Sequence, residues 1–258
     1  MTIKTKQKSA TVITVLALSL LCANGLAAAK PAAKAVPPRI DPKAVEAGER
    51  MGAYLRTLDS FEVTASDRLE EALDSGKKAT TSMLATYKVR RPDGFVIDVA
   101  SVKKERRFVY DGHAFTVSAP RAGYFATVSA PPTIDAVIED IYDEYGIVLP
   151  LADLFYWGTD AVPKENLKSA RLVGHEKIAG LDADHYSYGG SDFAWDVWIE
   201  RGDTPLPLRM VITTLDAPSK PTFTANLTWK TQVAFNADTF TFKPASDAKP
   251  IVMARVDQ

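Results

Sequence analysis

The chain has 258 residues, with 31 Lys and Arg against 32 Asp and Glu, and a single cysteine, Cys22. That balance offers no basic footprint for nucleic acid. One cysteine leaves no disulfide framework and no thiolate metal site, so stability must come from a hydrophobic core.

The first residues form a secretory leader. Lys4, Lys6 and Lys8 precede an apolar stretch over roughly residues 12–23 and the small-residue run Ala27, Ala28, Ala29. These are the three regions of a signal peptide, and the apolar core is too short to span a bilayer, which needs about 20 such residues. Cleavage is expected near Ala29, giving a signal peptide of residues 1–29 and a periplasmic protein. Cys22 follows Leu20 and Leu21, where lipoprotein processing requires a small residue, so no lipid is expected on it. Removing the leader leaves 28 basic residues against 32 acidic ones, a mildly acidic protein.

Residues 30–38 (KPAAKAVPP) have no apolar period, and residues 30–40 read as a flexible tether. At Asp41 and Pro42 an N-cap meets a residue favoured in the first helical turn. Val45, Gly48, Met51, Leu55 and Leu58 then recur at three- and four-residue steps, which predicts a helix over 42–58.

From Phe61 the period falls to two. Segments rich in Val, Thr, Tyr and Phe are separated by turn residues at Ser75-Gly76, Pro92-Asp93-Gly94, Asp111-Gly112 and Pro120 to Gly123, the pattern of antiparallel hairpins. Beyond Pro131-Pro132, helical spacing returns in Ile134, Val137, Ile138, Ile141 and Tyr145, with acidic residues on the other faces. The apolar run 149–157 is expected to lie over the core as a short helix.

Strands resume after about Leu172, with turns at Ala179-Gly180 and Gly189-Gly190 and hairpin arms on either side of 201–205. If Arg201 lies opposite Leu206, Ile199 meets Leu208, Val197 meets Met210 and Trp195 meets Ile212, all facing inward. Trp198 then faces Arg209 on the wet side. Phe223, Ala225, Leu227 and Trp229 alternate with polar residues, marking a sheet with one wet face. No linker interrupts the chain after Pro38, so residues 41–253 read as one domain of α+β class, mainly antiparallel β.

No reaction emerges from these residues. His113, His175 and His185 each stand alone, and the cluster Asp182, Asp184, His185 reads as a solvated turn rather than a metal site. Ser191 lacks the pattern around an activated nucleophile, which makes a hydrolase the weakest reading. No catalytic residue, metal or cofactor is assigned. What stands above background is aromatic surface: Trp195, Trp198, Trp229, Phe223, Phe155, Tyr156 and Trp157.

The segment YLRTLDSFEV (54–63), the strand-rich middle broken by helices, and the hairpin WDVWIER (195–201) to LPLRMVI (206–212) resemble the lipoprotein-carrier superfamily of LolA and LolB. Within it they resemble a family of predicted periplasmic proteins of undefined function. The resemblance covers roughly residues 44–242. It implies a curved, half-open β-barrel with helices as a lid over an apolar cavity, no catalytic residues, and an arginine near the cavity, a place comparable to that of Arg56. The expected lining is Ile134, Ile138, Ile141, Leu154, Phe155, Trp195, Val197, Met210, Phe223 and Trp229. The expected partner is a lipid, acyl chain or lipoprotein, with an envelope protein as the alternative should the cavity be filled core.

Overall fold

The computed structural model describes residues 40–72, 77–149, 151–152, 167–217 and 219–256. The expected leader, nearly all of the tether, the turn at Ser75-Gly76, and Leu154 to Trp157 lie outside them. Helix α1 spans Pro42–Arg56, opened by the Lys43 N–H donating to the Asp41 carboxylate at 3.0 Å. It closes slightly before Leu58 because the Thr57 N–H bonds back to the Tyr54 carbonyl at 2.9 Å. Its buried stripe is Ala44, Ala47, Gly48, Met51, Gly52 and Leu55, so small residues let the helix lie close to the sheet.

The strands are β1 (Ser60–Ala72), β2 (Lys78–Arg90), β3 (Gly94–Ser101), β4 (Glu105–Tyr110), β5 (Ala114–Ala119) and β6 (Tyr124–Ser129). After helix α2 (Ile134–Tyr145) come β7 (Ser169–Ile178), β8 (Leu181–Gly189), β9 (Phe193–Glu200), β10 (Pro207–Thr214), β11 (Thr222–Thr231) and the short β12 (Lys249–Pro250). They form one 12-stranded sheet in the order β12-β6-β5-β4-β3-β2-β1-β11-β10-β9-β8-β7. Pairing is antiparallel except between β12 and β6. The two ends of the series do not pair with each other, so the curved sheet stays open.

The pairing of β1 with β11 joins two meanders that are distant in sequence. Their register, Val63 opposite Trp229 and Ala65 opposite Leu227, puts both apolar phases on one face. That inner face merges with both helices in the main core, which contains Val63, Tyr87, Ile97, Val197, Met210 and Leu227 with Met51 of α1 and Ile141 of α2. Helix α1 is pinned beside the β7 and β8 edge, where the Tyr188 hydroxyl donates to the Ala44 carbonyl at 2.7 Å and the Asp41 N–H donates to the Ala170 carbonyl at 2.8 Å. Helix α2 is capped by Thr133, whose hydroxyl accepts from the Ala136 N–H at 3.3 Å, and ends at Gly146 with φ 63°. Ile134, Val137, Ile138 and Ile141 are its buried residues. No described helix is long and apolar enough to cross a membrane.

The β9 and β10 hairpin departs from the expected register at one residue. Met210 lies opposite Val197, Ile212 opposite Trp195 and Arg209 opposite Trp198, but Ile199 is opposite Pro207, with the ladder shifting between Pro207 and Arg209. A bulge adds one residue to one strand, and beyond it the side chain phase reverses. Leu208 therefore joins the outer face, packing with Trp198 and Ala183. Trp198 is not in water: it is only 7% exposed.

Candidate functional site

Side chains of one phase on neighbouring strands form rows across the inner face. In one row Val197, Met210, Ala225, Asp67 and Met83 stand opposite one another in turn. In the next, nearer the ends of β9 and β11, the series is Trp195, Ile212, Phe223 and Leu69. Val197, Met210 and Ala225 are fully buried, whereas all four members of the second row are half-buried. The open side of the inner face thus carries a continuous apolar row across β9, β10, β11 and β1.

The residues expected to line a cavity fall on this surface in two groups. Ile134, Ile138, Ile141, Val197 and Met210 are buried members of the core. Trp195, Phe223 and Trp229 are only partly buried against it. The Trp195 ring stacks on Tyr188 with centroids 5.8 Å apart, and the Trp229 indole N–H donates to the Pro207 carbonyl at 2.7 Å. Leu154 and Phe155 lie outside the described residues, although Leu149 and Leu151 of the same run are buried in the core. Arg56 is exposed in the last turn of α1.

Asp67 is the residue that the sequence reading passes over. It occupies the apolar phase of β1, after Phe61, Val63 and Ala65, and is 2% exposed. Neither carboxylate oxygen has a hydrogen-bond partner, and its cross-strand neighbours are Ala225 and Met83. Burial raises its pKa from 3.8 to about 7. The hydroxyl of Tyr87, on β2 and the same face, is likewise buried without a partner. Burial, and then the charge of Asp67, push that hydroxyl's pKa up. The signal was present as a single acidic residue within an alternating apolar series, Phe61, Val63, Ala65, Asp67, Leu69.

The histidines are less isolated than their spacing suggests. His175 Nδ1 lies 2.6 Å from the Asp184 carboxylate, and His185 Nε2 lies 3.0 Å from that of Asp196, with Glu176 at 3.7 Å from Nδ1. Among the described residues no three His, Cys, Asp or Glu side chains converge as metal ligands. A surface cleft of about 580 Å³ opens between the end of α1 and the chain after β11, lined by Tyr54, Leu58, Asp59, Gln232 and Val233. It contains none of the expected lining residues and is distinct from the inner face.

The chain is similar in structure to an uncharacterised conserved protein of Thermus thermophilus, at 13% identity over 81% of this chain and 99% of the other, with a TM-score of 0.46. It is similar to LprF of Mycobacterium bovis at 14% identity over 78% and 97%, with a TM-score of 0.43. A LolA superfamily protein, NE2245 of Nitrosomonas europaea, gives 12% identity over 77% and 97%, with a TM-score of 0.37. No curated protein matches the chain. The match to one sequence family is extensive, covering residues 44–254, and the chain belongs to that family, the predicted periplasmic proteins designated DUF2092.

Proposed function

We propose that this protein is exported by a cleaved leader of residues 1–29, joined by a tether of residues 30–40 to one domain of residues 41–253, and binds an apolar ligand in the periplasm without catalysing a reaction. The ligand is an acyl chain, presented as a lipid or lipoprotein, held between the inner face of the sheet and the helices.

The observation that carries this reading is the half-buried row Trp195, Ile212, Phe223 and Leu69, continuous with the buried row beside it. Apolar side chains left part-covered in a concave sheet favour an occupant that removes them from water. Each buried methylene contributes about 0.8 kcal/mol, so a chain of about 14 carbons supplies on the order of 10 kcal/mol before ordering costs. The family is described as predicted periplasmic proteins, which supports the export in this reading. In this reading the buried residues Ile134, Ile138 and Ile141 of α2 and Val197 and Met210 of the sheet bound the ligand.

Organic extraction and mass spectrometry of protein purified from the periplasm test the reading. The expected result is an acyl-chain compound released in near-stoichiometric amount. Protein that carries none, and that takes up no acyl chain in solution, would make it an envelope interaction module with a filled core.

A further inference from the structure

Unpaired carboxylates are rare in apolar interiors, since each such group forgoes the hydrogen bonds water would supply. Asp67 is one, 2% exposed, with both oxygens unpartnered, in the inner-face row next to the half-buried apolar row. On that face Ala65 on its own strand, Ala225 opposite on β11 and Ala85 diagonally across on β2 are small and fully buried, while the larger Met83 directly opposite on β2 and Leu69 on β1 are only half-buried. Tyr87 adds a second unpartnered group on the same face, its hydroxyl oxygen. Among the described residues no cation is hydrogen-bonded or ion-paired to Asp67.

We propose that Asp67 is the head-group site of the inner face and receives the ammonium group of a single-chain amphiphile, whose tail runs along Leu69, Phe223, Ile212 and Trp195. An ammonium brings three donors, as many as the acceptor oxygens that Asp67 and Tyr87 leave unpartnered on that face. A charge-assisted pair in a dry site is stronger than a neutral hydrogen bond and discriminates against a head group that lacks the charge. The carboxyl, raised to about 7 by burial, is predominantly ionised at pH 8 once a cation stands beside it.

This inference rests on the apolar-ligand reading and deepens it. The test uses protein purified from the periplasm and delipidated, with decylammonium, decanol and decanoate as probes at about pH 8, read by tryptophan fluorescence and calorimetry. Decylammonium is expected to bind at least about ten-fold more tightly than decanol, with decanoate weakest. Asp67→Asn is expected to reduce decylammonium to the affinity of decanol, while decanol changes by less than about three-fold. Tyr87→Phe, which keeps the ring packing, is expected to remove part of the preference and serves should Asp67→Asn not fold. Equal binding of decylammonium and decanol, or a preference that survives Asp67→Asn, overturns the head-group site and leaves the apolar reading standing. Failure of decanol itself to bind overturns both.

Discussion

The indole of Trp198 stacks on the imidazole of His185, with ring centroids 4.0 Å apart and planes 11° from parallel. The Arg209 guanidinium covers the same indole at 4.8 Å, the indole N–H donates to Glu176, and Ala183 and Leu208 close the ring's apolar edge. This is a small core on the outer face, made where a wet surface is expected. Trp198→Ala should therefore destabilise the domain by about 3 kcal/mol, the range for large aromatic truncations in cores. Urea unfolding of the purified protein checks it. Trp195→Ala, at a half-buried position of the inner face, should cost less stability and should weaken binding of an acyl probe.

Asp67 makes stability depend on pH in an unusual direction. Its folded pKa, about 7, lies above the ordinary 3.8, so the folded state holds the proton more tightly than the unfolded chain. The stabilising contribution is complete below about pH 4 and is lost as pH rises through 7. Tyr87 is the ionisable side chain that its charge affects on this face, and it stays neutral across that window. Asp67→Asn should leave stability nearly unchanged near pH 4 and raise it by about 2–4 kcal/mol at pH 8, since each pKa unit corresponds to about 1.4 kcal/mol. Parallel urea titrations at the two pH values decide it. A difference between the proteins that does not vary with pH would show that Asp67 titrates normally.

The buried hydroxyl of Tyr188 tethers α1 to β8 through the Ala44 carbonyl. Tyr188→Phe keeps the ring and removes one buried hydrogen bond, leaving the carbonyl without that donor. The expected cost is about 1 kcal/mol, and amides of α1 should exchange faster than in the parent while those of β2 do not.

What could be read in advance followed from local chemistry. The Asp41 cap marked the start of α1, the three- and four-residue apolar steps marked α1 and α2, and Gly123 and Gly180, both with positive φ, fell where turns were expected. Most of the β9 and β10 register also followed, because alternation dictates which side chains share a face. The bulge at Leu208 did not, since inserting one residue leaves no compositional trace in a run of Leu, Met and Ile. Nor did the pairing of β1 with β11, which joins residues such as Phe61 and Thr231 that no local signal connects. Asp67 was visible as one acidic residue in the apolar phase of its strand, and the cross-strand partners Ala225 and Met83 show what surrounds it.

Export leaves a mark on mass. If residues 1–29 direct secretion, the periplasmic protein should begin at Lys30 and Cys22 should be absent from it. Intact mass spectrometry of the secreted form measures this directly, and a mature chain starting at a diacylated Cys22 would place the protein on a membrane face instead.

The final prediction separates a cavity that opens from a core that does not. Strand β11 is paired on both sides, by β1 and β10, and contributes the buried Ala225 and Leu227, so its amides are released only by large-scale opening. Helix α2 has no such ladder; it is held by the packing of Ile134, Val137, Ile138 and Ile141 and by single hydrogen bonds at its ends, from the Ile134 N–H to the Pro92 carbonyl and from the Val256 N–H to the Glu144 carbonyl. A ligand entering beneath it requires it to lift, so its opening free energy must lie below that of the sheet. In hydrogen exchange, amides of residues 137–145 should exchange faster than those of 223–229 in the delipidated protein. A bound acyl chain stabilises the closed state by about 1.4 kcal/mol at ten times its dissociation constant, which should slow the α2 amides about ten-fold and those of β11 by no more than that, since large-scale opening also releases the ligand. Uniform protection, indifferent to decanol, a fatty acid or a lipopeptide, would mean that the buried isoleucines of α2 are permanent core and that no ligand passes beneath them.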